Sequence, residues 1–119
     1  MLFVCYPKCS TCRKAEAWLK DHGLDYTLRD IKTERPTAQE LAVWQERSGL
    51  ALKSFFNTSG MLYREMELSR RLPDMSRAEQ LALLGSDGML VKRPILITDE
   101  AVLVGFRADK WAAALGISE

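Results

Sequence analysis

The chain opens on a short apolar run, Leu2 to Tyr6, stopped by Pro7. From Thr11 to Asp21 the pattern changes, and Ala15, Trp18 and Leu19 recur at spacings of three and four. The first run is too brief for a helix and reads as a buried strand. The second reads as a helix with one apolar face, closed by Gly23. Tyr26 to Ile31 then alternates apolar and polar side chains, as a half-buried strand does. Strand, helix and strand in this order make a β-α-β unit, which forces the two strands parallel and lays the helix across one face of their sheet. Cys9 and Cys12 fall at the turn from the first strand into the helix.

Further along, Thr37-Ala38-Gln39-Glu40 has the spacing of a capping box, and Leu41, Val43 and Trp44 carry a helix from it to about Ser48, where Gly49 ends it. Leu50 to Glu67 mixes apolar clusters with the turn-prone Asn57-Thr58-Ser59-Gly60, which predicts short helical pieces around an irregular loop. Ser76-Arg77-Ala78-Glu79 is a second capping box, opening a helix through Leu84 that Gly85-Ser86-Asp87-Gly88 terminates. Pro94 to Thr98 and Val102 to Val104 are apolar runs separated by Asp99-Glu100-Ala101, the spacing of a tight antiparallel hairpin. After Gly105 a helical pattern returns, with Trp111, Ala114 and Leu115 on one face. The order is therefore β-α-β, a helical insertion, then β-β-α. At 119 residues the chain has the size of one ordinary domain. Residues 1–119 are expected to form one domain with the insertion at about 35–90.

Seventeen basic residues against sixteen acidic ones leave a net charge of +1. Nothing in that balance draws the chain to nucleic acid or to an anionic membrane. No apolar run reaches the roughly 18 to 20 residues that span a bilayer, and the first residues lack the charged start of a signal peptide. The expected location is the cytoplasm. Three cysteines, two of them three apart, do not suit a secreted disulfide framework, but they suit redox or metal chemistry in a reducing compartment.

With Cys9 just before the helix and Cys12 in its first turn, helical geometry sets their Cα atoms roughly 5 Å apart, within disulfide range. Cys9 faces the unpaired amides and the positive end of the helix dipole, which favour a thiolate, so it is the expected nucleophile and Cys12 the resolving thiol. A Cys-x-x-Cys at the strand-to-helix turn of a β-α-β unit is the setting of a thioredoxin-like redox site. A zinc ribbon lacks its second ligand pair here. Cys5, Cys9 and Cys12 also make Cys-x3-Cys-x2-Cys, which resembles the cluster signature of radical S-adenosylmethionine enzymes. However, Cys5 lies inside the apolar strand, and this length cannot supply the barrel those enzymes need. Cys5 is expected to be a small buried hydrophobe that stays a thiol when Cys9 and Cys12 oxidise. No metal site is expected. His22, next to Gly23 at a helix end, reads as structural, and Trp18, Trp44 and Trp111 read as core.

The stretch Tyr6-Pro7-Lys8-Cys9-Ser10-Thr11-Cys12-Arg13-Lys14-Ala15-Glu16-Ala17-Trp18-Leu19 closely resembles the opening of Spx-type proteins in the arsenate reductase superfamily. The resemblance extends to Lys92-Arg93-Pro94-Ile95-Leu96-Ile97 and to Val104-Gly105-Phe106. It implies a thioredoxin-like, mixed four-stranded sheet with a helical insertion, Pro94 as a cis proline facing the redox site, and Arg93 near the catalytic thiolate. A guanidinium suits that place because it stabilises a thiolate or holds an oxyanion with paired donors. Ser10, Thr11, Asn57, Pro94 and Arg107 are the residues expected to bind substrate or shape the site. No cofactor is expected beyond an external thiol reductant, such as glutathione with glutaredoxin, or thioredoxin. In the glutaredoxin-coupled arsenate reductases the position of Cys12 is not a resolving cysteine. Of their three oxyanion-binding arginines Arg93 matches one, while Asn57 falls at a second and Phe106, beside Arg107, near the third. The expected activities are thus a thiol–disulfide oxidoreductase first, an Spx-like redox-sensing regulator bound to the RNA polymerase alpha subunit second, and arsenate reduction third.

Overall fold

The computed structural model describes residues 1–118. Strand β1 (Leu2–Cys5) leads into helix α1 (Ser10–Asp21) and back into strand β2 (Thr27–Asp30), which pairs parallel with β1. At the other end of the chain, β3 (Ile95–Ile97) and β4 (Val102–Val104) form an antiparallel hairpin, and β3 also pairs antiparallel with β1. The result is a four-stranded mixed sheet in the order β2-β1-β3-β4, followed by helix α6 (Ala108–Leu115). Between β2 and β3 lie α2 (Ala38–Ser48), α3 (Met61–Glu65), α4 (Leu68–Arg71) and α5 (Arg77–Leu84), with short 3-10 turns at Leu52–Phe55, Leu72–Asp74 and Gly88–Leu90.

Alternation along the strands sorts the side chains onto two faces. Phe3 and Cys5 of β1, Leu96 of β3 and Leu103 of β4 pack with Ala15, Trp18 and Leu19 of α1 and Trp111 of α6. The residues between them, Val4, Ile95 and Val102, pack on the other face against Leu41 and Trp44 of α2, Leu81 and Leu84 of α5, and Phe55 and Phe56. The inserted helices therefore cover one face and α1 with α6 the other. Both capping boxes form in full: Thr37 and Glu40, and likewise Ser76 and Glu79, exchange side-chain and backbone hydrogen bonds of 2.9–3.1 Å.

In three places tertiary packing departs from the local pattern. Strand β2 is not half-buried by alternation. It is the sheet edge, Leu28 is 46% exposed, and Arg29 leaves the strand to form a forked pair with Glu40 at 2.6 and 2.9 Å, over the Trp44 ring. In α6 the residues buried in the core are Trp111 and Ala112, whereas Ala114 is exposed. Residues 68–74, which show no readable period, fold as α4 and a 3-10 turn because Leu68 and Leu72 are drawn into the insertion core.

The insertion is locked to the sheet by a close backbone approach. A Cβ built on Gly88 would lie 1.8 Å from the Ile31 carbonyl oxygen. Only glycine lets the chain before β3 pass that close to the end of β2.

Candidate active site

Cys9 occupies the N-cap position of α1 in extended backbone, φ −86° and ψ 126°, and its side chain makes no capping hydrogen bond. The turn before it is tight: the Cys9 N–H donates to the Tyr6 carbonyl at 2.9 Å, and the Cys9 carbonyl accepts from the Arg13 N–H at 3.0 Å. Because the opening amides of a helix have no partner within it, and no side chain of Cys9 closes them, this end of α1 is ready to receive a negatively charged group. Cys9 is half-buried, whereas Cys12, one turn on, is almost fully buried at 1% exposure.

An open cleft of about 900 Å³ lies over Cys9. Its walls come from three separate parts of the chain: Thr11 from α1, Asn57 and Ser59 to Leu62 from the insertion, and Lys92, Arg93 and Val104 to Arg107 from the ends of the hairpin. The insertion reaches the site through a short bridge in which Lys92 N–H donates to Phe55 and Asn57 N–H donates to Leu90, each at 2.8 Å. Arg93 is fixed on two sides, its guanidinium stacked over the Tyr6 ring at 5.4 Å and its Nη1 donating to the Met89 carbonyl at 3.4 Å. The Arg93–Pro94 peptide is cis. Beyond it, the Pro94 carbonyl accepts the Gly105 N–H at 2.8 Å, and the Gly105 carbonyl accepts Trp111 Nε1 at 3.0 Å. Gly105 sits at φ +74°, where a side chain is strained, so this turn is best made by glycine.

Lys92, Arg93 and Arg107 line the cleft against a single carboxylate, Glu65. That excess of positive charge favours anionic substrates and the thiolate form of a substrate thiol. Met61, Met89 and Phe106 provide an apolar wall. Of the residues singled out in the sequence, Cys9, Thr11, Asn57, Arg93 and Arg107 share the cleft. Ser10 is exposed at the helix start and Pro94 is buried beneath the cleft, and neither lines it. Lys92, Glu65, Met61 and Met89 were not legible as site residues, because only the packing of the insertion carries them there.

Behind Cys9 lie two further thiols. Cys5 and Cys12 lie in one core cluster with Cys9 packed against it, and Cys12 Sγ accepts the Tyr6 N–H at 3.3 Å. The hydrogen bond to Cys5, and then burial, push the Cys12 thiol well above its ordinary value. The same hydrogen bond holds Cys5 below its own, against the opposing effect of burial. Cys5 is buried as its strand position predicts, but it is not isolated. The signal was present in the sequence: period two puts Cys5 on the Phe3 side of β1, the side that α1 covers. His22 packs at the end of α1, its Nδ1 2.8 Å from the Trp18 carbonyl and its ring 4.2 Å from that of Trp18.

The uncharacterized protein YusI of Bacillus subtilis is 51% identical over 93% of this chain and 94% of its own. The global transcriptional regulator Spx of Staphylococcus epidermidis is 26% identical over 87% of this chain and 78% of its own. The crystal structure of an ArsC-family-related protein from Bacteroides fragilis superposes with a TM-score of 0.92 at 50% identity, over 95% of each chain. The ArsC family model matches residues 5–114, and the chain belongs to the ArsC family.

Proposed function

We propose that this chain is a cytoplasmic thiol–disulfide oxidoreductase in which Cys9 is the nucleophile and Cys12 the resolving thiol. The observation that carries this reading is the pairing of a half-buried Cys9 at the mouth of a cationic cleft with a buried Cys12 one turn into the same helix. Cys9 attacks a sulfur of an oxidised substrate, such as a mixed disulfide, and one thiol of that substrate leaves. Cys12 then attacks Cys9 Sγ, the second substrate thiol leaves, and Cys9–Cys12 remains as the disulfide. Two electrons from an external thiol, glutathione with glutaredoxin or a thioredoxin, restore the pair. Arg93, anchored on Tyr6, is placed on the cleft wall to stabilise negative charge on sulfur.

The match to Spx regulators over most of the chain favours a second reading, in which the same pair is an oxidation switch on a protein bound to the RNA polymerase alpha subunit. Arsenate reduction is third, because Asn57 and Phe106 stand on the cleft wall where the resemblance to arsenate reductases expects arginines. One experiment separates the three. Reduced protein is supplied with glutathione disulfide, arsenate or peroxide plus a thiol donor, and Cys9 and Cys12 are followed by mass spectrometry beside a pull-down of polymerase subunits. Sustained turnover of a disulfide supports the oxidoreductase. A single oxidation with polymerase capture supports the regulator, and turnover of arsenate the reductase.

A further inference from the structure

Resting on that reading of Cys9 and Cys12, we propose that Cys5 is a third redox-active thiol. The disulfide first formed between Cys9 and Cys12 passes inward to Cys12 and Cys5, returning Cys9 to the cleft as a thiolate. Cys12 is the shared neighbour: its Sγ accepts the Tyr6 N–H at 3.3 Å, which sets it beside the end of β1 that carries Cys5, and it lies in the first turn of the helix that Cys9 opens. All three thiols adjoin one core cluster between β1 and α1, Cys5 and Cys12 within it and Cys9 packed against it. The exchange is therefore intramolecular.

The step conserves atoms and electrons. Cys5, as thiolate, attacks Cys12 Sγ, the Cys5–Cys12 bond forms and the Cys9–Cys12 bond breaks. Cys9 Sγ leaves with the electron pair, and the proton given up by Cys5 passes to solvent. No oxidant is consumed. The leaving thiolate sits at the uncapped start of α1, where free amides and Arg93 on the same cleft wall stabilise it. The product disulfide joins residues that are 3% and 1% exposed, so a donor in solvent reaches it only by reversing the exchange through Cys9. The oxidised chain thus keeps its nucleophile and can capture a second partner.

Peptide mapping tests this directly, because cleavage after Lys8 and Arg13 puts Cys5 in one peptide and both Cys9 and Cys12 in the next. The full-length reduced protein is treated with glutathione disulfide, quenched in acid, alkylated under denaturing conditions and digested. The expected product is a Cys5–Cys12 link joining the two peptides. With excess reagent, a species carrying one glutathione on Cys9 together with that internal link is also expected. Cys9–Cys12 chemistry alone cannot produce the second species. In Cys5→Ala both signals are lost, and oxidation stops at a Cys9–Cys12 bond within one peptide. If every oxidised form of the wild-type chain retains an alkylated Cys5, the relay is overturned while the Cys9–Cys12 reading stands. If Cys5→Ala, or Cys5→Val should the alanine variant not fold, forms no Cys9–Cys12 bond either, it is that reading that fails. The wild-type map decides the relay without any variant.

Discussion

On one face of the sheet α1 begins at Cys9 with no side chain closing its amides, while on the other α2 and α5 begin with complete capping boxes. A side-chain cap is worth about 1 kcal/mol, so the helix that carries Cys9 forgoes stability that the helices of the insertion keep. The faces also differ in chemistry. Three thiols line the α1 side, whereas the insertion side is held by aliphatic and aromatic packing. The three thiols and the capped helix starts thus lie on opposite sides of β1 and β3, and a lesion at a capping box should spare the reactivity of Cys9.

The largest expected effect lies on the reactive side. Cys9→Ser should abolish rapid alkylation near neutral pH, a loss of orders of magnitude in rate. Cys12→Ser should keep that alkylation and accumulate a stable mixed disulfide, because the resolving thiol is gone. Timed iodoacetamide labelling with intact-mass analysis reads both, and faster labelling of Cys12 than of Cys9 would reverse the assignment.

Next in size is Gly88→Ala, which sets a methyl against the Ile31 carbonyl and should cost several kcal/mol, on the order of 2 to 4, by backbone displacement at the joint between insertion and sheet. Urea unfolding measures it, and a change below about 0.5 kcal/mol would show that the joint yields more easily than its geometry implies.

A smaller pair of changes sharpens the contrast between helix starts. Thr37→Ala should cost about 1 kcal/mol and leave Cys9 labelling unchanged, whereas Cys9→Ser, which supplies the missing cap, should raise stability by about 0.5 to 1 kcal/mol while losing reactivity. Unfolding midpoints measured on both proteins would break the comparison if Cys9→Ser proved the less stable.

Smallest is a pH effect at the same insertion helix. The hydrogen bonds and charge of Arg29, opposed by burial and aided by the Thr37 cap, hold Glu40 down at about 2. A carboxylate lowered on folding contributes stability that is complete above its unfolded value of about 4.3 and is lost as pH falls toward its folded value. Glu40 is partly exposed, so solvent screens much of this contribution. Glu40→Gln should flatten the stability profile between about pH 5 and pH 2, and a profile identical to wild type would remove Arg29–Glu40 from the account of acid stability.

How much of this was legible depended on range. Helix starts at Thr37 and Ser76, the hairpin around Asp99, and the strand-to-helix turn at Cys9 act through bonds between residues a few positions apart, and the sequence alone determined them. So did the membership of Trp18, Trp44 and Trp111 in the core, since apolar period decides which side of a helix is buried. The exposed character of β2 was not readable, because being an edge depends on which strands come later to lie beside β1. Neither were the cleft positions of Lys92, Glu65, Met61 and Met89, which the bridge between Phe56 and Val91 brings about. The contact between Cys5 and Cys12 had a signal in strand period but needed α1 to settle on that face. Local hydrogen bonding and periodicity thus determined the elements and put Cys9 at a helix entrance. Only packing between distant segments decided which cations surround it and which thiol stands behind Cys12, because those contacts form when two faces close on one sheet.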